Sequence, residues 1–600
     1  MAIYRSDQAQ FTYGTEAGQG GSPEGASATS ETSSGYSTAM AAAGAPGDRQ
    51  ISVDAVPSAT GTIQVGDFIR IGNEDKNSQI RRVEKLDATS NILYLDTPLA
   101  FPVVIDQEVK EIDSVTTTAI DQFIHWVPGV YETVDVPDPE MAIEGRRLLG
   151  EGAKRNFAIA YSGQQTFSGS VGGFVLLDGT PLRYPIGSVQ TAPVTSDGST
   201  DAASAYANTP TCTASKGDVW VAVTISSGSD ITIRADDVVI FGYVGAGSIT
   251  SSTGQEVRRV VSASGTTSGS YLRLDYPLQF DHSAVALKEV NSSTIDHYKH
   301  TIFEQTNLDT LSWNVKMVDS DESNEFTRRY YGGMVDSATL SGEEGGLVTY
   351  GWDTVPFMGM VHNQATYDGK NNDIYDAAPY PGGAARTDLP GYSLMQSIAS
   401  TAVGHPTSVS SGAVTKSFPS TEPYYFSQGE LKMHGITFAR IRSFSLGVSN
   451  GVEPRYYVKP IHGRQRGPSE MREQAREYSF SCTVASEDSA AGSSTAENAN
   501  ALFKELILEG DYGSPSSPDK AGIDIVLTFE RGTNDKIVIT VPDDVPSPTT
   551  YGAAKGLHQQ GAFITSANHS IDGNNPIQAD VSMIFRNMKI QISDQLPVYP

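Results

Sequence analysis

Cysteine is almost missing from this chain: two in 600 residues, Cys212 and Cys482. That excludes a disulfide framework. Neither has a CxxC spacing or a nearby Cys/His partner that would hold zinc, so both read as ordinary small side chains, Cys482 on the core face of a strand. No apolar run approaches the ~20 residues a membrane-spanning helix needs, and Met1-Ala-Ile-Tyr-Arg-Ser6 lacks the apolar segment of a secretory signal. Neither membrane insertion nor ordinary export is expected. Basic residues are scarce as well, 42 Lys and Arg against 70 Asp and Glu, for a net charge of −28. A nucleic-acid binder carries a basic face, so specific binding is not expected. A surface past which nucleic acid slides without sticking stays open, since like charges repel at short range and are screened farther away. The same bias also serves solubility in a salty habitat.

Motifs of catalysis are missing too. There is no Walker A sequence, no GxSxG elbow and no HExxH. Asp296, His297 and His300 sketch a metal site, but on a strand the two histidines point to opposite faces and no third ligand has helpful spacing. The segment 319–325 is dense in oxygen ligands, with Asp319, Asp321 and Glu325 the candidate metal ligands. It lacks the order of an EF-hand loop and reads first as a turn between strands. No cofactor is expected, and the chain is expected not to be an enzyme.

What is present is β-pattern. Over 436–450, Ile436, Phe438, Phe444, Leu446 and Val448 share one face, and Thr437, Ser443, Ser445, Gly447 and Ser449 the other, which predicts a half-buried antiparallel strand. Arg440 and Arg442 break the apolar face, as at a bulge or where a strand runs past the edge of the core. Further strands are predicted over 478–484, 523–529, 537–541 and 581–592, the last with a register shift near Asn587. One helix interrupts them over 496–509: Ser494-Thr495-Ala496-Glu497 has the form of a capping box, Leu502, Phe503, Leu506 and Ile507 sit at helical spacing, and Gly510 closes the run. The fold class is therefore mainly β, a sandwich or barrel with one flanking helix.

Six hundred residues suggest about four domain-sized units, and an internal repeat marks two of them. Gly66-Asp67-Phe68-Ile69-Arg70-Ile71-Gly72, Arg81-Arg82-Val83, Leu93-Tyr94-Leu95-Asp96-Thr97-Pro98-Leu99 and Lys110-Glu111-Ile112-Asp113-Ser114 recur in order. The second copy has Asp236-Asp237-Val238-Val239-Ile240-Phe241-Gly242, Arg258-Arg259-Val260, Leu272-Arg273-Leu274-Asp275-Tyr276-Pro277-Leu278 and Lys288-Glu289-Val290-Asn291-Ser292. Each reads as a small inserted all-β module, at 51–115 and 196–292, projecting outward from a larger domain. The Arg-Arg pairs read as an exposed strand face paired with local acids, with phosphate or carboxylate recognition the alternative. The remaining units are an N-terminal arm and the start of the body at 1–50, body segments at 116–195 and 293–361, a long loop or arm at 362–425 and the C-terminal part at 426–600.

The order of motifs resembles the tail tube (major tail) proteins of long-tailed bacterial and archaeal viruses. Phe11-Thr12-Tyr13-Gly14-Thr15 is similar to the family's N-terminal signature, and 161–187 to its first sheet. Tyr330-Tyr331-Gly332-Gly333-Met334-Val335-Asp336-Ser337 looks like the strand-turn-strand before its inner wall, "FARIRSFSLGVSN" at 438–450 like the opening of its second half, and 496–509 like its single helix. The inserted modules and the total length depart from the minimal unit.

The resemblance implies a virion structural protein, made in the host cytoplasm and placed in the tail. It implies partners: other copies of the chain in stacked rings, hexameric or trimeric, together with tape-measure and tail-terminator proteins. Genomic DNA would pass through the lumen without specific binding. Arms at 1–50 and 362–425 would bridge rings. The basic loop that carries Lys459, Arg464, Arg466, Arg472 and Arg476 reads either as a further bridge to an acidic surface of the adjacent ring or as a solvated hairpin tip paired with Glu470, Glu473 and Glu477. The rival readings are a surface adhesin or fibre subunit whose repeats bind carbohydrate, and a secreted glycoside-active enzyme.

Overall fold

A computed structural model of the chain describes residues 10–16, 31–32, 36–45, 48, 50–58, 61–64, 67–72, 79–95, 99, 103–112, 114–115, 132–137, 140–146, 159–195, 203–206, 209–218, 220–225, 233–234, 237–244, 249–250, 252–263, 271–290, 295–318, 325–364, 408–411, 414–417, 422–433, 436–438, 441–457, 467–485, 524–543, 562–570 and 578–599. It is mainly β, built from antiparallel sheets. The helix expected at 496–509 lies outside the described residues.

Two large sheets form the body. An eight-stranded sheet runs Thr133–Asp135, Ser168–Val175, Thr349–Pro356, Ser337–Glu343, Ile441–Ser449, Glu477–Ala485, Gln578–Phe585, Phe563–Ser570. A seven-stranded sheet runs Gly187–Thr195, Ile295–Glu304, Lys589–Asp594, Asp535–Val541, Ile525–Gly532, Gly429–Met433, Ile436–Phe438. Period-two alternation sends Phe444, Leu446, Phe480, Cys482, Val581 and Met583 of the first sheet into one core with Leu527, Ile537, Ile539, Ile590 and Ile592 of the second. Burying one such side chain is worth roughly 1.5–3 kcal/mol, so the shared core is what holds the sheets together.

The register breaks expected from sequence turn out to be corners. The stretch 436–450 is two strands, Ile436–Phe438 in the seven-stranded sheet and Ile441–Ser449 in the eight-stranded one, with a bulge between Ile441 and Ser443. The run 581–592 divides likewise: Gln578–Phe585 lies in one sheet and Lys589–Asp594 in the other. Charged or amide residues that neither core face accepts (Arg442, Asn587) stand where the chain changes sheets.

A four-stranded sheet covers one end of the body. In it the N-terminal strand Gln10–Thr15 pairs with Leu311–Val318, which sets Tyr13 opposite Trp313. Phe11, Tyr13 and Trp313 of this sheet are buried against Trp352 and Phe357, with edge-on ring contacts at 4.8–5.0 Å. The strand Gln10–Thr15 thus belongs to the body.

The repeat is a structural duplication. In the first copy the strand order is Ser37–Ala39, Glu108–Ile112, Phe68–Ile71, Gln79–Asp87, Ile92–Leu95, Gln50–Ser52. The second runs Ala203–Ala205, Lys288–Val290, Val238–Phe241, Glu256–Ala263, Tyr271–Leu274, Trp220–Ile225, then adds Pro210–Ala214 and His282–Ala286. Registers correspond residue by residue. Ile69 faces Arg81 as Val239 faces Arg258, and Val83 faces Leu95 as Val260 faces Leu274, with a bulge after each. Gly72 and Gly242 close equivalent strands with φ of 101° and 63°, a conformation that favours glycine. The first module therefore begins before residue 51, because Ser37–Ala39 completes its sheet.

Two expectations for the modules are corrected. The first arginine of each pair is not on an exposed face: Arg81 and Arg258 are buried. Arg258 holds Glu256 at 2.6 Å and donates to the carbonyls of Val257 and Pro277. Nor does the second module simply project outward. Its Val238, Ile240, Val257, Tyr276 and Val290 belong to the body's core, while Val239, Phe241, Val260 and Leu274 form a separate core within the module; the residues of the first module's core form a cluster apart from the body's.

Candidate functional site

The body's most unusual surface is the outer face of the eight-stranded sheet. Cross-strand pairing lines up Thr349, Ser341, Ser445, Ser481, Ser582 and Ser566 in one row across six neighbouring strands. The next row holds Glu343, Ser443, Thr483, Asp580 and Asn568. Side chains directly opposite on such a face stand about 4.5–5.5 Å apart, so the hydroxyls form a near-continuous stripe. Ser341 and Thr349 are 3.2 Å apart, Thr483 donates to Asp580 at 2.8 Å, and Thr339 donates to Asp353 at 2.6 Å.

The stripe floors a concavity of about 740 Å³ that Glu132, Glu343 and Asp580 also line. Among the described residues, no Lys, Arg or His takes an outward position along these strands. Arg442, at the corner bulge, is ion-paired to Glu344 at 3.2 Å. Neutral hydroxyls with scattered carboxylates make a hydrated surface that offers a polyanion no counter-charge. Among the described residues its two end strands are Thr133–Asp135 and Phe563–Ser570.

Comparison with known proteins adds little. No protein-family profile and no curated protein matches the chain. Among solved structures it is similar to the cryo-EM structure of the anti-feeding prophage cap, described as the tube-terminating cap. That likeness is 12% identical, covers 30% of this chain and 97% of that one, and has a TM-score of 0.19. It is too slight to bear on this chain's role.

The residues singled out from sequence are scattered. Lys459, Arg464 and Arg466 lie outside the described residues. Arg472 is exposed at the end of Glu470–Arg472, opposite Glu453. Arg476 is half-buried and engaged within its own subunit, donating to Asn450 Oδ1 at 2.7 Å and to the Gln305 carbonyl at 3.1 Å. Asp319 and Asp321 also lie outside the described residues, and Glu325 opens the strand Glu325–Gly333.

His297 lies 3.0 Å from Asp296, whereas His300 is buried between Thr191, Asp594 and the Leu596 carbonyl. The two histidines do not converge. Among the described residues no cluster of His, Cys, Asp and Glu could hold a metal. Burial pushes the Cys212 and Cys482 thiols up to about 12, which leaves them unreactive.

The serine row was half-visible in the sequence. Ser443, Ser445 and Ser449 stood out as a polar face, but their alignment with Ser341, Ser481 and Ser582 depends on strand partners far apart in the chain.

Proposed function

We propose that this chain is a structural subunit of a viral tail tube, with the hydroxyl face of its eight-stranded sheet turned toward the lumen. One observation carries the reading: among the described residues, a six-strand row of Ser and Thr has carboxylates beside it and no outward cation, on a sheet whose end strands are Thr133–Asp135 and Phe563–Ser570. Such a face lets a phosphate backbone pass without anchoring it, because cations are what bind nucleic acid in a salt-dependent way. The strand ends supply the means of closure. The edge Phe563–Ser570 of one copy would pair with Thr133–Asp135 of the next, so that a head-to-tail contact closes a ring. The order of sequence motifs from Phe11 to Asn450 supports the same reading.

The test is negative-stain microscopy of the purified chain over a range of concentration and salt. Rings or tubes with an axial bore support the proposal. Unassembled monomers throughout, or solid fibres without a bore, would remove it, and fibres would favour the adhesin reading.

A further inference from the structure

The seven-stranded sheet ends at Gly187–Thr195, and alongside that edge lies the second module rather than another strand of the sheet. In an antiparallel sheet alternate residues direct their N–H groups away from the partner. Here those are residues 187, 189, 191 and 193, and every one is accounted for. Gly187 donates to the Arg183 carbonyl at 2.8 Å, Val189 to Gln279 Oε1 at 2.9 Å, and Thr191 to the Gln255 carbonyl at 3.2 Å. Pro193 has no N–H to give. The Thr191 carbonyl accepts from Gln255 Nε2 at 2.9 Å. Gln190 reaches outward as well, donating to the Thr250 carbonyl at 2.6 Å and accepting from the Gln255 N–H at 3.3 Å.

The groups that do this are held from behind. Glu256 accepts from the N–H groups of Gln279 and Phe280 at 3.0 and 3.2 Å, and is itself fixed by Arg258 at 2.6 Å and His282 at 2.8 Å. Gln190, Gln255, Glu256 and Gln279 are all buried.

We infer that the second module is an edge cap: two glutamines stand in for a missing strand and close the Gly187–Thr195 edge of the seven-stranded sheet to any second copy of the chain. An open strand edge templates pairing with another chain, and this one would be nine residues long. The first module is not equipped for the task. Leu99 and Leu278 make the same bond, to the carbonyls of Asp48 and Asp218, and the residue that follows is Ala100 in one copy and Gln279 in the other. The capping itself stands whether or not rings form.

The test uses the full chain and hydrogen exchange read by peptide, with light scattering beside it. In a Gln255→Ala/Gln279→Ala variant, exchange over 187–195 should rise at least about tenfold while the strand 256–263 stays protected. The variant should also show concentration-dependent growth that the parent chain lacks. Replacing Gln279→Ala by Gln279→Lys should raise exchange equally but suppress growth, since a charge on the edge blocks strand addition. Unchanged exchange over 187–195 overturns the inference, and so does raised exchange without growth in the alanine variant. Should 256–263 lose protection too, the single Gln279→Ala variant, which leaves the Gln255 side-chain bond to the Thr191 carbonyl intact, is read by the same criteria.

Discussion

The Lys216 ammonium lies 2.7 Å from Asp309 Oδ1, and this ion pair joins the second module to the body. The other oxygen of the same carboxylate is 3.2 Å from Arg183, which is completely buried and also donates to Thr15 at 2.9 Å. Burial alone would raise the Asp309 pKa, but Lys216 and Arg183 more than offset it and hold the carboxylate below its ordinary value. Asp309→Asn leaves a buried guanidinium without its counter-charge and should cost about 3–5 kcal/mol. Lys216→Met removes a half-exposed partner and should cost about 1 kcal/mol or less. Urea denaturation of both variants checks the order; equal losses would contradict it.

The aromatic end of the core makes a second prediction. Tyr13 meets Tyr184 and Trp352 edge-on at 5.4 and 5.0 Å, and its hydroxyl has only a long 3.4 Å bond to Thr180. Tyr13→Ala should therefore cost about 3–5 kcal/mol through the cavity it leaves, and Tyr13→Phe about 1 kcal/mol or less. Thermal unfolding separates the two, and a phenylalanine variant as damaged as the alanine one would show that the hydroxyl matters more than the ring.

The second module should lose stability as pH rises from about 4 to 6. Burial raises the Asp275 carboxyl to about 6, with Arg259 and Arg258 limiting the change. Burial also raises Asp218 to about 6, helped by Asp281 and opposed by the Ser215 N–H. A folded pKa above the unfolded value contributes stability that is complete below about 4 and is lost as pH passes through the folded value, by about 1.4 kcal/mol for each pH unit that separates the two pKa values. Asp309, moved the other way, costs stability only at lower pH. Hydrogen exchange over 256–263 at about pH 4.5 and pH 7, corrected for intrinsic rates, should show less protection at the higher pH. Asp275→Asn should flatten the difference.

The hydroxyl row makes a prediction about passage rather than stability. Ser445→Arg with Ser481→Arg puts two cations where none stands, on side chains that project from the sheet. Assembly should survive and DNA release through the assembled tube should slow, the more so at low salt. Unaltered release at low ionic strength would mean that this face does not meet the genome.

How far these features were legible in the sequence depends on their range. Alternation at 443–449 and 478–484 is local, and the strands Ile441–Ser449 and Glu477–Ala485 lie where it puts them. The interruptions at Arg442 and Asn587 were visible too, but a sequence does not tell a bulge from a corner, because the difference lies in which sheet receives the next strand. The module repeat was legible from Gly66 onward because its strands are apolar. Ser37–Ala39 was not, since a short polar strand carries no pattern until Glu108–Ile112 pairs with it. The burial of Arg81 and Arg258 escaped for a related reason: a buried arginine needs partners, and for Arg258 these are Glu256 and two carbonyls. The glutamine cap at Val189 and Thr191 joins residues up to 90 positions apart.

The central claim is that the working unit is a hollow assembly with the Ser341–Ser445–Ser481–Ser582 row facing its bore. Cryo-electron microscopy of the assembled chain tests it most directly. The account predicts stacked rings in which Phe563–Ser570 of each copy lies against Thr133–Asp135 of the next and those serines line the lumen. Rings with that face turned outward, or a chain that stays monomeric at every concentration and salt level, would contradict it.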